Sequence, residues 1–80
     1  MSDAELNHLV AMANDIARNL AFYDDGDVRM ADHLQRFWAP ALRERLREHV
    51  AAGGAGLSTA ALAGASLRIF QGSGNLIVRG

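Results

Sequence analysis

From residue 6 onward, apolar side chains recur at three- and four-residue steps: Leu6, Leu9, Val10, Ala13, Ile16, Ala17 and Leu20. That spacing draws one stripe along a helix and leaves Asn7, Asp15 and Arg18 off it. It predicts an amphipathic helix over roughly residues 3–22, opened by the capping-box spacing of Ser2 and Glu5. "YDDGD" ends the stripe: Asp25-Gly26 reads as a turn pair, and Asp27 as the cap of a second helix. That helix is expected over roughly 28–38, with Val28, Ala31, Leu34 and either Phe37 or Trp38 facing inward.

Pro40 forbids a straight continuation, because it lacks an N–H and disfavours a helical residue before it. It suits the first turn of a third helix, whose narrow stripe is Leu42, Leu46 and Val50. Gly53 or Gly54 supplies the left-handed residue that stops it. Ser58 caps a short fourth helix, roughly 59–69, with Leu62, Ala65 and Ile69 inward. Gly64 inside it is expected to cost about 1 kcal/mol relative to Ala. "QGSGNLIVRG" has no helical period, and "NLIV" finds no predicted strand to pair with. The expected architecture is all-α: a small bundle of three to four short helices in one domain over residues 1–70, with a flexible tail over 71–80. The expected core is Leu6, Leu9, Ala13, Ile16, Leu34, Leu42, Leu46 and Val50.

Composition limits what this bundle does by itself. Half of its 80 residues are hydrophobic, but many of these are Ala, which bury little area each. A chain this short is marginal alone, so oligomerisation or a partner subunit is expected. It has no Cys, hence no disulfide staple and no thiolate chemistry. The acidic start "MSDAELNHLV" does not resemble a secretory leader, and no apolar run nears the ~20 residues that span a bilayer. A cytoplasmic location is expected. The net charge of −1 is unevenly placed, with the acids concentrated before Pro40 and most of the Arg after it. Such asymmetry either orients the chain on a partner or reflects ordinary solvated helix faces.

Candidate chemistry is sparse. His8, His33 and His49 fall on three different helices without zinc-ligand spacing. "DDGD" lacks the alternating acids and the distal Glu of a calcium loop. "GGAGLS" has neither the Lys-Ser/Thr of a phosphate-binding loop nor a preceding strand. Arg36, Arg43, Arg45 and Arg47 are interleaved with Glu44 and Glu48, which argues against a nucleic-acid face. Phe37 and Trp38 read either as core plugs or as an interface anchor. Adjacent helix residues cannot both point into one small core, so one is expected inside and the other available.

Three blocks, "LVAMANDIA", "ADHLQRFWAPALR" and "GGAGL", taken in this order resemble a known family, the delta subunits of NAD-dependent formate dehydrogenases. Leu9, Met12, Ala13, Asn14, Ile16 and Ala17 fit the pattern L-x-x-M-A-N-x-I-A. Ala31, His33, Phe37, Trp38, Pro40 and Arg43 fit a second block, with Leu42 where Met is usual. Gly53, Gly54, Gly56 and Leu57 fit a third. The resemblance implies a small accessory subunit with no catalytic residue, cofactor or metal of its own. Its implied partners are the catalytic (alpha) subunit, carrying molybdenum cofactor and iron–sulfur clusters, and the FMN-containing, NAD-reducing subunits. It also implies a docking surface at the Trp-Pro bend and the arginine-rich helix, made of Phe37, Trp38, Pro40, Arg43 and Arg47. The last stretch, "ALAGASLRIFQGSGNLIVRG", departs from the family's usual apolar helical ending. The competing expectation, from the residues alone, is a free-standing small helical interaction or regulatory protein that forms a homodimer.

Overall fold

The computed structural model describes residues 3–67 and Phe70. Four helices follow one another: α1 (Ala4–Asn19), α2 (Gly26–Phe37), α3 (Pro40–Ala51) and α4 (Thr59–Ala65). No strand occurs among the described residues. The tail expected over 71–80, the Ser2 half of the capping box and Ile69 lie outside them.

The shortest helix is the hub: α4 packs on α2, α1 and α3. Its sequence, TAALAGA, explains how. Ala61, Gly64 and Ala65 form a buried stripe of small side chains, which lets the neighbouring backbones approach closely. Gly64 is therefore a packing requirement and more than a weak point in a helix. A Cβ placed there would lie 2.6 Å from Met30 Sδ and 3.0 Å from Met30 Cγ. Met30 occupies the space that the missing side chain leaves, and it is buried.

Around α4 the core gathers Leu9, Ala13 and Ala17 from α1, Met30, Ala31 and Leu34 from α2, then Trp38, Leu46 and Phe70. Ile16, Leu42 and Val50 pack against its edge, and Leu6 is half-buried. Val28, expected inside, is 42 % exposed. At ~100° per residue it sits about a third of a turn from the centre of the Met30–Ala31–Leu34 arc that meets α4.

Local chemistry sets the helix ends. After Asn19 the chain tightens through bonds from Ala21 N–H to Arg18 C=O, Tyr23 N–H to Leu20 C=O and Gly26 N–H to Tyr23 C=O. Gly26 then passes so close to Leu20 that a Cβ would lie 2.6 Å from its carbonyl oxygen. Helix α2 starts at Gly26 itself, so Asp25 is its N-cap residue and Asp27, expected there, lies in the first turn. Asp25 does not cap with its side chain, because that carboxylate accepts a 2.8 Å bond from Arg29 Nε. This bond holds the Asp25 pKa below the usual carboxylate range. The pair therefore contributes at neutral pH and is lost as acid titrates the carboxylate.

Ahead of Pro40, Trp38 and Ala39 adopt extended backbone, with ψ 142° and 146°. The α3 C-terminus closes as a Schellman motif: Gly54 N–H donates to His49 C=O at 2.8 Å and Gly53 N–H to Val50 C=O at 3.0 Å. Gly53 and Gly54 carry the positive φ that the motif requires. Ser58 caps α4 as expected, its Oγ accepting from Ala61 N–H at 3.1 Å.

Candidate interaction surface

The α2–α3 corner separates the two adjacent aromatics. Phe37 ends α2 and is 70 % exposed, its ring 4.9 Å from that of His33 one turn back. Trp38 follows in extended backbone, which swings its indole under the corner and into the core, where it is 8 % exposed. One aromatic is inside and one available, as the sequence implied. Pro40 sits beside them, exposed, in the first turn of α3.

The two arginines of the expected docking set are committed within the chain. Arg43 Nη1 donates to Gln35 C=O at 2.6 Å, tying α3 to the last turns of α2. Arg47 Nε donates to Phe70 C=O at 3.0 Å, and its guanidinium lies 5.0 Å from the Phe70 ring centroid. Arg47 also pairs with Glu44 and keeps only 22 % of its side chain exposed. Reversing both charges would break these contacts as well as any made to a partner. Phe37, 70 % exposed with its ring beside that of His33, separates docking from folding more cleanly.

A feature that helix patterning does not reveal is the clamp on the glycine loop. Asn14 Nδ2 donates to Gly56 C=O at 3.0 Å, while its Oδ1 accepts from Ser58 N–H at 2.8 Å. From the other side, His49 Nε2 meets Ala55 C=O at 2.7 Å. One amide side chain on α1 thus satisfies both a donor and an acceptor of the loop that launches α4. The signal available in sequence was a polar residue inside an otherwise apolar-periodic block. Asn14→Ala should cost about 1–2 kcal/mol, one to two net hydrogen bonds. Faster hydrogen exchange at the Ser58 amide and a lower melting temperature, with helix content retained, are the expected readouts.

These placements assign physical work to the recurring blocks. Asn14 pins the loop, Gly53 and Gly54 turn it, Trp38 fills the core, Pro40 starts α3 and Arg43 ties α3 to α2. Most of these residues maintain one shape, and Phe37 and Pro40 are left exposed at the corner.

No group of three or more His, Cys, Asp or Glu among the described residues is arranged to hold a metal. No helix among them is long and apolar enough to cross a membrane. The ion pairs are mostly exposed, including Arg45–Glu5, which bridges α3 and α1 at 2.6 Å. Exposed pairs of this kind contribute little to stability.

Residues 8–65 match the family described as NADH-dependent formate dehydrogenase delta subunit FdsD. No curated protein and no solved structure matches the chain. The family match takes in α1 from its second turn, all of α2 and α3, the pinned glycine loop and α4. With residues 8–65 of its 80 matched, this all-helical chain belongs to the delta-subunit family of the NADH-dependent formate dehydrogenases.

Proposed function

We propose that this chain is a non-catalytic accessory subunit that supports assembly, stability and activity of a cytoplasmic NAD-dependent formate dehydrogenase by docking on its catalytic subunit. The observation that carries this reading is Phe37, a large apolar ring 70 % exposed at a corner of a chain in this family. Phe37 and Pro40 make the contact. Trp38 and Arg43 hold the corner from beneath, through the core and the Gln35 carbonyl, and Arg47 ties α3 to the Phe70 carbonyl. Because these contacts pre-form the corner, less ordering entropy opposes association. The molybdenum cofactor, iron–sulfur clusters, FMN and NAD belong to the partner subunits in this reading.

Phe37→Ser tests it. A buried aromatic anchor typically contributes about 2 kcal/mol or more, which is roughly 30-fold in affinity. The isolated variant should keep its helicity and melt within about 0.5 kcal/mol of the parent, since surface substitutions usually do. The measurement is co-purification with the catalytic subunit, beside circular dichroism of the same sample. Undiminished co-purification would remove Phe37 from the interface. Loss of self-association with unchanged co-purification would favour the homodimer instead.

A further inference from the structure

At the opposite end of α2 from Phe37, three helix ends enclose a groove of about 290 Å³. Its floor is made of small side chains: Ala17 and Ala21 from the α1 end, Ala60 and Ala63 from α4. Past Ala17, Ala21 and Ala60 it continues into a second depression of about 400 Å³ that reaches Asn14, Ser58 and Arg18, whose charge Asp15 pairs at 2.7 Å. Together they make a trough along α1 and α4, where small side chains let another backbone approach closely.

The mouth of the trough is acidic and preset. Asp24 and Asp27 line it, and neither pairs with a cation among the described residues. Asp15, Asp25, Asp32, Glu5 and Glu44 have an Arg partner; Asp3 and Glu48, like Asp24 and Asp27, are in no ion pair among the described residues, but they do not line the trough. Asp27 uses one carboxylate oxygen on Val28 N–H at 2.8 Å, which leaves the other directed elsewhere. Tyr23, also at the mouth, is fixed by Arg29, whose guanidinium lies 3.9 Å from the ring centroid while Asp25 holds it from behind. Next to Tyr23, Phe22 is 82 % exposed.

We propose that this trough is a second docking site, for a cationic amphipathic helix of a partner subunit of the dehydrogenase. Apolar side chains of that helix fill the alanine floor and cover Phe22, and its Lys or Arg pair with Asp24 and Asp27. Charge complementarity selects this occupant. Two uncompensated carboxylates beside an apolar trough disfavour an anionic segment, and a purely apolar one would leave them unpaired. The alanine floor excludes nothing by shape, so the acids set the specificity. The inference rests on the subunit reading for the identity of the partner, but it uses a face remote from Phe37.

The test uses the dehydrogenase purified without this chain and reconstituted with full-length variants. Ala60 is exposed, so Ala60→Trp fills the trough while leaving the core untouched. It should weaken binding at least tenfold with unchanged circular dichroism and melting. Asp24→Asn/Asp27→Asn should weaken binding and flatten its dependence on salt, because the exposed charge pairs are gone. Parental binding by Ala60→Trp, or an unchanged salt slope in the double variant, would overturn the proposal. So would a trough variant that alters only self-association, which would make a second copy the occupant. If Phe37→Ser binds weakly while both trough variants bind normally, the trough falls and the corner stands. If all three bind normally, both fall.

Discussion

Trp38→Ala should unfold the isolated chain or bring it close to unfolding. The indole is 8 % exposed and sits in one cluster with Leu34, Leu46 and Phe70. Removing a buried aromatic typically costs about 3–5 kcal/mol, the lost transfer energy plus the cavity left behind. At ~0.05–0.15 kcal/mol per residue, a chain of this length has only about 4–12 kcal/mol in total. Chemical denaturation with far-ultraviolet circular dichroism reads the result. A midpoint within error of the parent would mean that Trp38 is not a core residue. The contrast with Phe37→Ser is the useful part. Neighbouring aromatics should give opposite phenotypes, one lost folding and the other lost association.

Gly64→Val should cost about 2–3 kcal/mol, despite replacing a poor helix former. The new Cβ would meet Met30 Sδ at 2.6 Å, Cγ at 3.0 Å and Cβ at 3.1 Å. Met30 is itself buried and cannot swing outward without opening the α2–α4 contact. Overpacking of this sort typically costs about 1–3 kcal/mol, and the β-branched side chain adds two more carbons to the same gap. The helix-propensity gain from losing Gly returns only a few tenths of a kcal/mol for Val. The sharper check is a double-mutant cycle with Met30→Ala. The pair should be less destabilised than the sum of the singles, with a coupling of about 1 kcal/mol or more. Strict additivity would mean that the two residues do not compete for one space.

The helical ends were legible because each is decided within a few residues. Pro40 starts α3, Ser58 caps α4, and the glycines after Val50 turn the chain with positive φ. Asp27 shows the limit even at this range. The N-cap position fell to Asp25, whose side chain does not cap, because the helix begins at Gly26, where the chain passes close to the Leu20 carbonyl. The α1 stripe was right in phase, with Leu9, Ala13 and Ala17 all buried. Met30 and Phe70 were not anticipated, although Met30 stands four residues before Leu34 on the buried arc of α2. Met30 becomes core only because α4 carries no side chain opposite it.

By itself the sequence determined the all-helical class, a count of three to four helices, the stops between them and the family. It also determined that of Phe37 and Trp38 one would be buried and the other not. Which of the two was left to tertiary structure, through the extended backbone that precedes Pro40 and the core available to only one ring. Tertiary structure also drew Arg43 and Arg47 onto backbone carbonyls of Gln35 and Phe70, where sequence had pointed them toward a partner. It gave Asn14 its clamp on residues 42 and 44 positions away. Helix periodicity and caps report forces between residues a turn apart, and these extend along the chain. A polar side chain finds whichever unsatisfied carbonyl or amide the packed helices bring within about 3 Å, and no local pattern encodes that meeting.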